Sequence, residues 1–357
     1  MDRSRRLPRD SGREPRWPER WTLVVMLGLG LLMAGCSDGE SDSLLRDYQQ
    51  RLADTLSLEA PPRATPGNIA AFPDQDERLF EIAETREGML DIYALRECHI
   101  AHLVAGRNNQ LGKLALPSQR WLYELELWRR LSGCWNSDVP DALSEDSRLR
   151  LARLTRTKTD QLPRVSWNAL FASEEWVKNF SRASSPLSPE ELDEVEPRSA
   201  ALNYLQRVTL HQYDRSWLPD SATLEGHFKT LQERPLSAEL LRTLLLAEQR
   251  LDEGSALIEQ ALEREEGETC GNAAGDLAKM PETSRLLDWL DDLDRAARHW
   301  LGAIDALLEV HVAPPSAVAE YRHRWLSLTH PEAPLGLFTA ARDRHDALRH
   351  RLARRCR

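Results

Sequence analysis

The chain has 357 residues, with 47 Lys and Arg against 57 Asp and Glu, a net charge of −10, 41% hydrophobic residues and only 17 glycines. An acidic chain lacks the basic footprint that nucleic-acid binding needs, so that partner class is set aside. The length suffices for one large core or two smaller ones, and a composition dominated by Leu, Arg, Glu and Ala makes helix the default.

Residues 1–21 carry seven arginines and no lysine against four acids, and an apolar stretch, TLVVMLGLGLLMAG, follows at residues 22–35. These are the basic and apolar regions of an export leader, and the stretch is shorter than the ~20 residues needed to cross a bilayer. Its end, Met33-Ala34-Gly35-Cys36, resembles the bacterial lipobox, although Leu is usual where Met33 stands. The resemblance implies cleavage before Cys36 and lipidation of its thiol and new N-terminus, including palmitate. Arg5-Arg6 is a poor twin-arginine signal, because Pro8 replaces the bulky apolar residue expected downstream. Ser37, where an Asp would signal inner-membrane retention, directs the anchor to the periplasmic face of the outer membrane. One acyl chain binds marginally and stable anchoring takes at least a second signal, so three chains hold firmly. Residues 36–43, small, polar and acidic, read as a short flexible tether.

With Cys36 set apart, Cys98, Cys134, Cys270 and Cys356 remain. An even set in an oxidising compartment points to two disulfides. Four cysteines allow three pairings; Cys98 with Cys134 and Cys270 with Cys356 is favoured because each bridge then closes within one half of the chain.

Helical periodicity recurs along the rest of the sequence. Residues 43–58 place Leu44, Leu45, Tyr48, Leu52 and Leu56 at three- and four-residue steps, and APPRATPG at 60–67 then breaks the pattern. An irregular extended segment is expected at 68–72. Residues 89–106 read as one helix with a wide apolar face. Gly112 and Pro117 mark a turn, and Trp121, Leu122, Leu125, Trp128 and Leu131 belong to the returning helix of an antiparallel hairpin. Cys98 and Cys134 would then lie about 12 and 24 Å from the turn, whereas a disulfide needs Cα atoms closer than about 7 Å. Either the first helix runs on towards Leu111 or the turn is stepped.

Glu97-Cys98, Arg107-Asn108-Asn109, Leu111-Gly112-Lys113, Pro117-Ser118-Gln119, Leu122-Tyr123-Glu124 and Cys134 resemble a family of uncharacterised proteobacterial lipoproteins, domain of unknown function 3080. The family pattern has Ser where Asn109 stands. The resemblance runs through most of the chain beyond residue 36 and implies lipoprotein status and disulfide use, but no chemistry.

Shorter helices are expected at 143–154 and 174–180. The Pro-, Ser- and acid-rich stretch at 181–197 is a candidate boundary, although SPEELDEV within it also reads as a capped helix start. Helices are then expected at 198–213, 222–233, 237–264, 282–311, 317–328 and 335–356, with a glycine-bearing loop at 267–281. No repeat of fixed period is present. The expected fold is all-α, a disulfide-bonded helical bundle or two packed helical subdomains, divided as leader 1–35, tether 36–43, and helical parts 44–183 and 184–357.

Candidate sites are few. Arg107, Asn108, Asn109 and Lys113 crowd donors into the hairpin turn, with Tyr123 and Glu124 able to fold back over them; this is either a ligand niche for an anion or sugar, or the satisfaction of freed helix ends. Cys98 and His102 share a helix face beside His99, but two ligands do not make a zinc site, and neither metal nor cofactor is expected. Asp288, Asp291, Asp292 and Asp294 suit ion pairs along a helix, Asp291 with Arg295 and Asp294 with Arg298. The arginine-rich end, from Arg342 to Arg357, offsets a helix dipole or contacts anionic lipid or an acidic partner. No HExxH, Walker loop, GxGxxG or CxxC occurs. The reading is a lipid-anchored envelope protein of non-enzymatic binding, scaffold or accessory type; the alternative is a small-ligand-binding protein or enzyme using the Arg107–Lys113 turn.

Overall fold

Helix formation follows the apolar periodicity closely. The computed structural model describes residues 39–85, 87–265, 270 and 281–356, and among these the chain is all-α. The expected leader, Cys36, the tether up to residue 38, most of the 267–281 loop and Arg357 lie outside the described residues. Eight helices of thirteen residues or more carry the architecture: α1 Glu40–Leu56, α2 Pro117–Trp135, α3 Glu145–Phe171, α4 Val195–Leu210, α5 Ser221–Glu233, α6 Leu236–Glu263, α7 Pro281–Glu309 and α8 Pro334–Arg355. Long α6 lies against α8 and α1, α4 packs on α7 and α5, and α2 pairs with α3 as a hairpin. The α7 stripe of Leu286, Trp289, Leu293, Trp300, Ile304 and Leu308 is wholly buried. Each such side chain contributes roughly 1.5–3 kcal/mol.

Residues 39–357 form one compact unit, and its main core runs from Leu44 to Leu352. The 181–197 stretch is held inside it. Leu187 is buried, its N–H donates to Thr243 Oγ1 at 2.8 Å, and its carbonyl accepts from Ser41 Oγ at 2.5 Å. SPEELDEV forms the capped start, a short 3-10 helix at Pro189–Glu194 with Ser188 and Glu191 in a reciprocal capping box. Asn179 fastens the same region: its amide donates to the Leu231 carbonyl at 3.0 Å and accepts from the Ser237 N–H at 3.0 Å.

Three expected boundaries change for identifiable reasons. α1 begins at Glu40, so residues 40–43, expected in the tether, form its first turn; Glu40 and Asp42 suit the positive helix end, and Asp42 is drawn in by Arg250. The expected helix over 89–106 breaks into Met89–Ala94, a 3-10 turn at Arg96–Cys98 and Ala101–Asn108, with His99 at φ 54° between them. This stepped path turns Ile92, Leu95, Cys98 and Ile100 onto α2 and α3, forming a second core with Leu127, Leu131, Cys134, Leu151 and Leu154. It also brings the Cys98 and Cys134 Cα atoms to 5.2 Å, and the favoured pairing holds, with Cys270 bonded to Cys356.

The third change is α3, which runs unbroken through Pro163 where only 143–154 was expected. Proline has no N–H to offer the carbonyl four residues back. That carbonyl, Thr159 O, accepts instead from Tyr213 Oη at 3.1 Å, and the Tyr213 ring packs edge-on against Trp128. A hydroxyl from outside the helix thus replaces the missing donor.

Among the described residues the one fully buried charge is Arg250, in the middle of α6. Its Nε donates to Asp42 at 2.7 Å, its Nη1 to Glu253 at 2.9 Å and its Nη2 to the Ala64 carbonyl at 2.8 Å. Gln49 of α1 closes the network, donating to the Arg250 carbonyl and to Glu253. Breaking a buried charge pair by deleting one partner costs far more than an exposed pair is worth. Arg250→Ala is therefore expected to lower the denaturant-unfolding free energy by about 3–5 kcal/mol, while loss of the exposed Arg295–Asp292 pair should change it by less than ~1 kcal/mol.

Candidate functional site

The hairpin turn is largely spent on itself. Asn109 caps the short Gln110–Lys113 turn, its Oδ1 accepting from the Gly112 N–H at 2.8 Å, and Arg107 Nη1 donates to the Gly112 carbonyl at 2.7 Å. Gly112 sits so close to the preceding strand of backbone that an added Cβ would lie 2.2 Å from the Gly106 carbonyl oxygen. Glu124 reaches away to Lys158 of α3 at 2.9 Å. Burial pushes the Tyr123 phenol up to about 12, helped by Glu124 and opposed by Arg107, so these three do share a neighbourhood. Asn108 and Lys113 are exposed. Arg107 and Asn109 therefore perform the helix-end satisfaction that was the structural alternative.

The other sequence candidates also resolve into structure. Cys98 is in its disulfide, His102 is exposed, and the His99 carbonyl accepts from Arg130 at 2.8 Å. Among the described residues no group of three or more His, Cys, Asp or Glu is placed to hold a metal ion. Asp294 pairs with Arg298 as expected, but Arg295 takes Asp292 at 2.8 Å and Asp291 pairs with Arg342 of α8. The expected Asp291–Arg295 pair fails because α8 packs beside that turn and supplies a nearer cation. Much of the basic end is likewise consumed: Arg344 pairs with Asp252 and Glu259, Arg349 with Asp346, and Arg355 donates to the carbonyls of Leu262 and Arg264. Arg351, Arg354 and His350 stay exposed.

One buried constellation resembles a catalytic relay. His345 of α8 hydrogen-bonds Tyr48 Oη of α1 at 2.7 Å through Nε2 and Ser255 Oγ of α6 at 3.1 Å through Nδ1. A nucleophile needs a path to substrate, and Ser255 is 0% exposed. The trio ties three helices together where α6 and α8 approach closely; a Cβ on Gly254 would meet the imidazole at 3.1 Å.

Two surface grooves went unnoticed in the sequence. One, about 530 Å³, lies between Leu44, Glu190, Arg285, Asp288, Trp289 and Asp292. The other, about 370 Å³, is walled by Tyr204, Arg207, His211, Trp217, Leu218 and Asp220. The available signal was the stretch HQYDRSWLPD at 211–220, a loop with two aromatics and a histidine. Aromatics near helical stripes default to core, and most of the described tryptophans are indeed buried.

The sequence model of a protein family of unknown function, DUF3080, matches residues 45–279, about two thirds of the chain. The chain belongs to DUF3080. No curated protein and no solved structure matched it. The DUF3080 match contains both the hairpin turn and the Tyr204–Trp217 groove, whereas the groove at Trp289 straddles its limits. The match stops short of α7 and α8, yet both helices complete the DUF3080 core, through Trp300 and Phe338 among others.

The buried histidines give a pH test. Burial, then Arg349, pushes His345 down to about 3, and burial pushes His311 down to about 4. Both rings are neutral when folded, whereas the unfolded chain protonates them near the ordinary 6.5. Their stabilisation is therefore complete above about pH 6.5 and is lost as pH falls towards those folded values, by up to ~1.4 kcal/mol per pH unit for each ring. Urea midpoints measured between about pH 7 and pH 5 should fall, and the double variant His311→Gln/His345→Gln should flatten that fall.

Proposed function

We propose that this protein is exported, lipidated at Cys36 and held at the periplasmic face of the outer membrane, where it serves as a non-enzymatic binding, scaffold or accessory module of the envelope. The observation that carries the reading is the pair of disulfides, Cys98–Cys134 and Cys270–Cys356. Such bridges persist in oxidising compartments and are rare in the cytosol. They agree with the lipobox-like Met33-Ala34-Gly35-Cys36, and no described helix is long and apolar enough to cross a membrane. The enzyme alternative at the Arg107–Lys113 turn loses support because Arg107 and Asn109 are engaged in building the turn. Contact of the basic C-terminal helix with anionic lipid or an acidic partner would rest on Arg351 and Arg354, the cations left exposed there.

Cys36→Ala is expected to move the protein from the membrane fraction to the soluble periplasmic fraction, and mass spectrometry of the parent protein should find an acylated N-terminal Cys36. An unmodified Met1 on exported protein would overturn the anchor. Peptide mapping without reductant should recover the Cys98–Cys134 and Cys270–Cys356 bridges. Affinity capture of the lipidated protein should return an envelope component, and repeated capture that returns none would count against the scaffold role.

A further inference from the structure

The groove between the end of α4 and the start of α5 is built from the last turns of α4, the loop after it and the cap of α5. Tyr204 of α4 stacks on His227 of α5, with ring centroids 4.2 Å apart and planes 23° apart. Arg207, almost one turn further along α4, holds its guanidinium 5.5 Å from the centre of the Tyr204 ring. His211 and Trp217 face each other across the loop at 5.4 Å. Asp220 closes the end of the groove. Its Oδ2 accepts from the Thr223 N–H at 2.8 Å and hydroxyl at 2.9 Å, capping α5.

Arg207 differs from the arginines that lie in ion-pair networks. Arg234 holds Glu191, Glu194 and Glu239, and Arg322 holds Asp305 and Glu309. Arg207 is exposed, and no carboxylate among the described residues pairs with it. It is nonetheless oriented over an aromatic ring at the wall of a cavity. A guanidinium held in this way presents its fork to a planar anion. Trp217, half-buried at the wall, accepts the apolar face of a ring. A carboxylate has about four lone-pair sites, so Asp220 retains acceptor capacity for hydroxyl donors after capping the helix. An aromatic acid would leave that capacity unused, and a doubly charged phosphate would face Asp220 with more repulsion than a carboxylate. The volume of about 370 Å³ lies near the lower end of the ~300–1,000 Å³ usual for small-ligand sites, enough for one or two sugar rings.

We infer that this groove binds a carboxylated sugar, its ring against Trp217, its carboxylate on Arg207 and a hydroxyl donating to Asp220. The inference deepens the binding-module reading and rests on it, but is independent of the lipid anchor. Envelope glycans offer two sources of such a group, a sugar bearing a lactyl ether and a uronic acid.

The test is calorimetric titration of the full-length protein in detergent with N-acetylmuramic acid, glucuronic acid and the neutral N-acetylglucosamine. At least one acid should bind about tenfold or more tightly than the neutral sugar, and which acid does so identifies the source. Arg207→Met, which keeps the aliphatic stem, should abolish that preference with an unchanged melting temperature, and Trp217→Ala should weaken every sugar. Raising salt from about 0.05 to 0.5 M should weaken acid binding in the unaltered protein, a readout that needs no variant. Acids binding no better than the neutral sugar, no heat from any sugar at about 10 mM, or an undiminished preference in folded Arg207→Met would each overturn the site. Failure here leaves the capture and fractionation tests standing, so the two readings fall separately.

Discussion

A guanidinium without water must be surrounded by acceptors, and Arg250 finds them on pieces of chain far apart in sequence. Asp42 comes from α1, the Ala64 carbonyl from the irregular segment after it, and Glu253 from its own helix. The apolar stripe of α1 could bury itself against α6 in neighbouring registers. A buried fork with fixed donors admits one register only, because any slide strands a charge. The same face of α1 carries Tyr48 to His345, so setting α1 also sets α8. Hydrophobic area drives the assembly, and this polar network selects which assembly forms.

Much of this architecture could be read from the sequence, because it follows from periodicity. The stripe on α7 and the five helices from α4 onwards lie within a few residues of their expected places, where three- and four-residue apolar steps are unambiguous. The cysteine pairing was legible too, once Cys36 was counted apart. What escaped the sequence depended on distant partners. Nothing local says that Thr159 will find a donor in Tyr213, so the run of α3 through Pro163 could not be read from the chain. Nothing local says that the 89–106 stretch must bend at His99, since the demand comes from α2 and α3, which need Leu95, Cys98 and Ile100 on one side.

The hairpin turn shows why a dense set of donors need not mark a ligand site. The turn at Arg107 attracted attention because polar side chains were dense there, yet density of donors is what a tight turn needs for its own backbone. The Tyr204–Trp217 groove was overlooked because its components are spread over seventeen residues, from Tyr204 on α4 through the loop to the Asp220 cap of α5. An unpaired arginine is informative only after the paired ones are known, and pairing is a property of the fold.

The bridge from Cys270 to Cys356 spans a sequence separation of 86 residues and joins the stretch between α6 and α7 to the end of α8. It encloses α7 and α8, which the family match does not cover. A single peptide-bond cut anywhere between those cysteines would leave one covalent molecule in an oxidising compartment and two polypeptides in a reducing one. Damage to this part of the chain would thus stay hidden until the protein met a reductant.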